Sequence, residues 1–262
     1  MALIAAVALA AAATQAPALL APVLDRPYRL VFEDERNGPD GIQHFRIERT
    51  VVFKSEPEGF RADVTLVDVR TDASGEIGRR FLMATGALRN RTVTFHLSPD
   101  GSVRAIDDEA AVWSAIVAGV AAIAPQAGGE NTPGRHPDGP LATLPPDAVR
   151  ATLASILSPM LAGSDAGLSP GTRAVTLPRS TLAPGGASLP ATEVATLTPE
   201  GPLSLRVQAQ DNGPAVRHSI DRLRVVDRAH GLVILRDDRR STTTAGLTQL
   251  TRSRMQVIAP VF

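Results

Sequence analysis

The sequence predicts a mainly β fold of the α+β class. We expect a curved antiparallel sheet, or half-barrel, contributed by two halves of the chain, with a central pair of α-helices packed on its concave face. Apolar and polar residues alternate in two long regions, at 25–106 and 172–258, and Pro-, Gly- and Asp-rich turns separate the alternating runs. Between these regions, residues 107–162 change to helical spacing. The order sheet, helical pair, sheet follows from these observations.

The N-terminus has the composition of an export signal. Residues 2–13 form an apolar run that is too short for a permanent membrane span, and Ala11-Ala12-Ala13 provides the small-x-small cleavage pattern. We therefore expect a signal peptide at 1–13, with cleavage as late as Ala16 as the alternative. The mature protein is then periplasmic or secreted, in a Gram-negative bacterium.

Residues 25–106 predict an N-terminal antiparallel meander. Six of the seven Phe residues of the chain lie in this region, and most apolar side chains here recur at every second position. Turn signals follow the strands at 37–41, 56–59, 72–75 and 98–101. Apolar alternation predicts strands around Tyr28 to Phe32, Phe45 to Phe53, Phe60 to Leu66, Phe81 to Met83, and Val93 to Leu97.

Residues 107–162 predict a helical insertion. Asp107, Asp108 and Glu109 are expected to cap the first helix, whose residues 110–124 are almost uniformly apolar, so that it should be covered on most sides. A second helix should start near Pro145 and end or kink at Pro159. Residues 125–146 contain six Pro and four Gly and predict a loop between the helices.

Residues 172–258 predict the C-terminal antiparallel region. Alternation indicates strands at 203–209, 216–225, 231–235 and 247–258. The charged run 237–240 is interpreted as a solvated strand end. The helices either plug one curved sheet or link two small β domains, and a single structural domain is favoured because an apolar helix must be covered.

Composition excludes several classes of protein and site. The chain has 27 basic and 27 acidic residues, which gives no global surplus for nucleic acid, and no cysteine. No pair of histidines has metal-ligand spacing, and we predict neither metal nor cofactor. His218 and Asp221 should point to opposite faces of a strand, which opposes joint catalysis.

The helical pair carries the remaining functional hypothesis. An apolar cavity between the helices and the sheet would bind an acyl chain or another lipid. In outline the predicted arrangement resembles the periplasmic lipoprotein-carrier architecture, a curved antiparallel sheet closed by helices, although no motif is shared. The candidate ligand-binding residues are Trp113, Ile116, Val117, Val120, Leu153, Leu157 and Met160.

The sequence therefore predicts a soluble, exported, non-enzymatic envelope protein without a permanent membrane span. Its partner is an apolar small molecule, such as a lipid, or another envelope protein. Two alternatives stay open: a structural or protein-interaction module of the envelope, and a hydrolase assembled from dispersed Asp, His and Ser residues.

Overall fold

The two β-rich halves of the chain form one open antiparallel sheet of eleven strands. The computed structural model describes residues 19–38, 41–122, 143–177, 189–199, 201–212 and 216–258. The strand order is β5-β4-β3-β2-β1-β11-β10-β9-β8-β7-β6, so that the first and last strands of the chain pair at its centre. Strands account for 57% of the residues that the structure describes, and the predicted mainly β fold is confirmed.

The elements follow the chain in the order β1–β3, α1, β4, β5, α2, α3, β6–β11. The three α-helices are α1 (Gly75–Gly86), α2 (Glu109–Ala121) and α3 (Pro146–Ala154), and two short 3-10 turns follow at Ser158–Met160 and Gly163–Gly167. The strands are β1 (Pro27–Gly38), β2 (Gly41–Glu56), β3 (Gly59–Thr71), β4 (Thr92–Leu97), β5 (Val103–Ile106), β6 (Gly171–Leu177), β7 (Leu189–Leu197), β8 (Leu203–Asn212), β9 (Val216–Asp227), β10 (Leu232–Thr244) and β11 (Leu247–Ile258).

The sheet is strongly curved. The amide of Leu20 donates to the carbonyl of Pro99 in the β4–β5 turn at 2.8 Å, and the amide of Ala21 donates to the carbonyl of His230 in the β9–β10 turn at 3.1 Å. Strands β4 and β10 lie five strand positions apart, which corresponds to about 24 Å across a flat sheet. Two consecutive residues can bridge these turns only because the sheet bends toward itself.

The hydrophobic core fills the concave face. One cluster of buried residues extends from Ile106 on β5 to Ala195 on β7 and includes Leu153 of α3 and Met160 of the first 3-10 turn. The amide of Ala162 also donates to the carbonyl of Gly231 at 3.0 Å, which fixes the chain after α3 to the start of β10. Helix α3 and the first 3-10 turn therefore lie inside the curve of the sheet.

Strand β3 contains a β-bulge that reverses its alternation. Arg49 on β2 pairs with Leu66, but Glu48 pairs with Asp68, so Val67 is the extra residue. The bulge keeps Leu66 and Val69 on the concave face, whereas uninterrupted alternation would have placed Asp68 there. The strand thus presents a continuous apolar surface to the core.

The predicted strand at Phe81 and Met83 is wrong, because these residues belong to helix α1. Phe81 contacts the ring of Phe45 edge to face, with centroids 5.0 Å apart, whereas Met83 is 41% exposed. Glu76 and Arg80 form an ion pair one helical turn apart. The alternation of two apolar residues was too short to exclude a helix, in which they occupy different faces.

Two expectations for α2 are corrected. The helix was expected to be covered on most sides, but it has no fully buried residue within the part of the chain that the structure describes. Its acidic start does not cap it, because Asp108 makes no side-chain capping hydrogen bond. Asp107 instead lies 2.9 Å from His96 Nε2, and Glu109 accepts a hydrogen bond from Arg150 of α3 at 3.0 Å.

The interpretation of 237–240 as a solvated strand end is also wrong. Asp238 is only 5% exposed and lies in the middle of β10, where it pairs in register with Arg222. The signal peptide and most of the loop 125–146 lie outside the described residues. Among the helices that the structure does describe, none is long and apolar enough to cross a membrane.

Candidate ligand-binding cavity

A largely apolar cavity of about 190 Å³ lies between the first half of the sheet and the three helices. This volume is below the 300–1,000 Å³ that is usual for sites enclosing drug-sized ligands, so it suits a single narrow chain. The sheet contributes Ile47, Arg49, Val64, Leu66 and Val93. The helices and the α1–β4 connection contribute Ala84, Thr85, Leu88, Arg91, Ile116, Thr152, Ser155 and Ile156.

The register of β2 and β3 positions the floor of the cavity. Ile47 and Arg49 are two residues apart on β2 and therefore share the concave face, and Leu66 lies directly opposite Arg49 on β3. The amide of Asn90 donates to the carbonyl of Leu66 at 2.9 Å, which draws the α1–β4 connection over the bulge. As a result Leu88 and Arg91 of that connection reach the cavity.

Arg49 is the one charged residue that the sheet contributes to the described lining. Its guanidinium lies 4.8 Å from the ring centre of Phe32, and its Nη1 donates to the carbonyl of Ile156 at 3.0 Å. Within the described parts of the chain no carboxylate lies within 4.0 Å of it. Burial lowers the pKa of Arg49 to about 10, so the side chain stays cationic at neutral pH.

The helices close against one another above this floor. At Gly119 of α2, an added Cβ would lie 2.7 Å from Cβ of Ala87 and 3.2 Å from the carbonyl oxygen of Met83, so only glycine permits this approach to the end of α1. The Glu109–Arg150 ion pair connects α2 to α3. Contacts between α1 and α2 and between α2 and α3 make the helices a layer over the cavity.

The structure distributes the seven predicted binding residues over different environments. Ile116 lines the cavity. Leu153, Leu157 and Met160 are fully buried in the core cluster, Trp113 packs partly against it, and Val117 and Val120 are half-buried on α2. None of these six lines the cavity, and their role in binding stays a prediction.

Arg49 was missed by the reasoning from sequence, although a signal was present. Phe45, Ile47, Val51 and Phe53 alternate on β2, and position 49 is the one charged position in that series. A charge in the phase of the buried face requires either a partner or a functional reason. The residues of α1 that line the cavity were missed because that segment was interpreted as a strand.

A second depression of about 480 Å³ is larger but more open and more polar. It lies between the β4–β5 turn and α3, and Asp100, Asp147 and Arg150 are among its lining residues. Arg150 already pairs with Glu109. This depression therefore lacks the enclosed apolar surface that would retain a ligand.

The second half of the concave face carries a charged cluster, which we define as Glu193, Arg222, Arg224, Arg236 and Asp238. Arg236 Nη2 donates to Asp238 Oδ2 at 2.6 Å, and Arg224 Nη2 donates to Glu193 Oε2 at 3.2 Å. Arg224 also pairs with Asp165 of the second 3-10 turn. Glu193 and Asp238 are both buried, so ion pairs add to the apolar packing of Leu203, Leu205 and Val226 in this half.

The histidines that the structure describes do not assemble a catalytic set. His96 lies between two carboxylates, with Nδ1 3.0 Å from Glu56 Oε2 and Nε2 2.9 Å from Asp107 Oδ1. His218 Nδ1 lies 3.1 Å from the Thr242 hydroxyl, whereas Asp221 pairs with Arg206 on the other face of β9, as expected. His136 lies outside the described residues, within which no metal-binding group of three or more His, Asp or Glu side chains occurs.

No protein-family description fits this sequence, and no curated protein sequence is significantly similar to it. Among solved structures, the protein is similar to a chain of lipovitellin, described as "Lipid-protein interactions in lipovitellin". The similarity covers 90% of this protein and 25% of the lipovitellin chain, with 8% sequence identity and a TM-score of 0.41. The protein thus spans about a quarter of that chain's length, and a likeness this distant indicates no function.

Proposed function

We propose that the protein is a non-enzymatic envelope protein that binds one apolar ligand, such as the acyl chain of a lipid, between the first half of the sheet and the helices. The observation that carries this proposal is the cavity of about 190 Å³. Its floor is mostly aliphatic, as is half of its roof, and burial of methylene groups there is favourable at about 0.8 kcal/mol each.

The helical layer supports the same proposal. The cavity is bounded by three separate helices and by the α1–β4 connection, so that a ligand can enter by displacement of the helices while the sheet stays intact. Helix α2, which contributes Ile116, has no fully buried residue within its described length. It packs against the core only through half-buried residues such as Val112, Trp113 and Ile116.

Binding of a neutral fluorescent probe tests whether the cavity accepts an apolar ligand. N-phenyl-1-naphthylamine should bind the purified protein, and Ala84→Phe should weaken binding because the added ring occupies the cavity that Ala84 lines. Ala111→Phe, on the exposed side of α2, is the matched control and should leave binding unchanged. Equal probe binding by both variants, or no binding by the wild type, would contradict the proposal.

Native mass spectrometry of the protein from its own envelope tests the class of ligand. We expect an adduct mass of one lipid on the wild type and its loss in Ala84→Phe. A mass without adduct, combined with no increase in melting temperature on addition of lipids, counts against carriage of a lipid.

The export part of the proposal is supported by the N-terminal sequence alone. In a Gram-negative host the full-length chain should be found in the periplasm or the medium, with a mature N-terminus at Thr14, or at Pro17 for the later cleavage. N-terminal sequencing of the fractionated protein decides this. Retention of Met1 on a cytosolic protein would overturn it.

A further inference from the structure

We propose that the cavity selects a single-chain amphiphile with an oxyanion head group, a carboxylate or a phosphate, which pairs with the guanidinium of Arg49. This inference rests on the proposed function and adds the chemical class of the ligand. The chain of the amphiphile occupies the aliphatic lining, and the head group occupies the position beside Arg49. The volume of about 190 Å³ favours one chain over a diacyl lipid.

The pairing of other arginines in this protein shows why Arg49 is unusual. On the same concave face, Arg224 pairs with Glu193 and Asp165, and Arg236 pairs with Asp238. Arg49 has no carboxylate within 4.0 Å among the described residues, although burial is sufficient to lower its pKa. An isolated interior charge is costly, and proteins normally pair it.

The guanidinium of Arg49 retains donors for a ligand. It carries five N–H donors, of which the described structure engages one, to the carbonyl of Ile156. The face of Phe32 compensates part of the charge but accepts no second strong hydrogen bond. A carboxylate or phosphate can accept two parallel N–H bonds from the guanidinium, which is the geometry that Arg recognises best.

The surroundings of Arg49 reinforce this selectivity. Its cross-strand neighbours are Leu30 on β1 and Leu66 on β3, so no nearby strand residue competes with a ligand for the charge. Arg91 lines the same cavity from the α1–β4 connection and likewise lies beyond 4.0 Å from any described carboxylate. Two cations around an apolar cavity favour an anionic amphiphile over a neutral one.

Calorimetric titration with ligands of equal chain length provides the test. Decanoate and decyl phosphate should bind the wild type about tenfold or more tightly than decanol, because only the anions form charge-assisted hydrogen bonds. Arg49→Met should remove most of this preference, with Arg91 still present, and leave the affinity for decanol unchanged. Arg49→Lys keeps the positive charge but loses the planar guanidinium that donates two parallel hydrogen bonds, so it should retain part of the preference. Arg79→Met, at an exposed position of α1, should behave as the wild type.

The outcomes of these titrations distinguish failure of this inference from failure of the proposed function. Equal affinity of the wild type for decanoate and decanol would overturn the inference while leaving an apolar site in place. Failure of all three ligands and of the neutral probe would overturn both. Tight binding of inorganic phosphate alone would identify a free-oxyanion site and contradict an amphiphile.

A thermal-melting control removes the ambiguity of a folding defect. Arg49→Met removes a charge that has no carboxylate partner among the described residues, but it also removes the hydrogen bond to Ile156, so the melting temperature without ligand should change little. A strong decrease would assign Arg49 a structural role. The comparison of decanoate with decanol on the wild type needs no variant and therefore stays decisive.

Discussion

The two halves of the concave face both carry buried apolar side chains, but only the second half adds a cluster of buried ion pairs to them. In the first half, β2–β4 present fully buried side chains such as Phe53 and Phe95 to the core, and Arg49 is the one charged residue that the sheet contributes to the described lining of the cavity. In the second half, β7–β10 present the charged cluster around Asp238 and Glu193. The same alternating strand pattern thus supports an apolar cavity in one half and an ion-paired surface in the other.

This difference shows that helical cover determines what a strand face can carry. The apolar half lies beneath the helical layer, where burial of aliphatic surface is favourable. In the charged cluster burial lowers the pKa of Arg222, although Asp238 nearby opposes this effect. The charged cluster is therefore stabilised by its ion pairs. The surface around the cavity is stabilised by burial of aliphatic side chains.

The largest expected effect is the loss of unfolding free energy when an apolar side chain of the first half is truncated, compared with a truncation in the second half. Phe95→Ala should lower the free energy of unfolding by about 3–5 kcal/mol, because the ring is fully buried and its loss leaves a void. Ile220→Ala, at a half-buried position of β9, should cost less. Urea denaturation of both variants measures this, and equal losses would show that the second half is packed as tightly as the first.

The next effect tests the charged cluster. Asp238→Asn removes the partner of Arg236 and Arg222 and should cost about 1–3 kcal/mol of unfolding free energy, since the arginines keep part of their exposure to water. Asp221→Asn, on the outer face of β9, is the control and should cost less. A negligible change for Asp238→Asn would mean that packing, not pairing, stabilises this half.

The apolar half could be predicted from sequence to a large extent, because its alternation is visible in one strand at a time. Phe45, Ile47, Val51 and Phe53 define the buried face of β2 without knowledge of a partner, and the final strand at 247–258 matches β11. Helix α1 was missed because Phe81 and Met83 fit both spacings. Because α2 is apolar on all sides, its sequence does not show how much of the helix surface is buried.

The charged cluster could not be predicted, because its pairs depend on the register between strands. Asp238 and Arg222 are neighbours only through the pairing of β9 with β10, whereas in sequence Asp238 stands beside Asp237, whose carboxylate pairs with Arg252 on the outer face. Arg49 was visible as an interruption of alternation. Its lack of a carboxylate partner emerges only from the fold.

A smaller effect concerns the connection between the sheet and α2. Hydrogen bonding to Glu56 and then to Asp107 raises the pKa of His96 above its ordinary 6.5. A raised folded-state pKa means that His96 contributes stability fully below pH 6.5, and that this contribution is lost as the pH rises through the folded-state pKa. The stability difference between wild type and His96→Gln should therefore shrink as the pH is raised from 6.5 through the folded-state pKa.

Urea denaturation across this pH range measures the His96 effect. His44→Gln provides a comparison outside α2, since His44 pairs with Asp72 at 2.6 Å in an exposed position before α1. A difference between wild type and His96→Gln that is constant with pH would show that the ring acts by packing and not by its charge.

The smallest effect should be found on the outer face, where the two halves do not differ. Arg29 and Glu48 form a two-point ion pair in the first half, with Nη2 to Oε2 at 2.8 Å, and Arg206 and Asp221 form the equivalent pair in the second, with Nη2 to Oδ2 at 2.7 Å. Exposed pairs of this kind contribute little because water and salt screen them. Arg29→Ala and Arg206→Ala should therefore change the melting temperature equally and less than Phe95→Ala, Asp238→Asn or His96→Gln, and 0.5 M NaCl should reduce both changes. If Arg206→Ala alone had a large effect, the ion pairing of the second half would extend through the sheet, and the contrast between the halves would no longer be confined to the concave face.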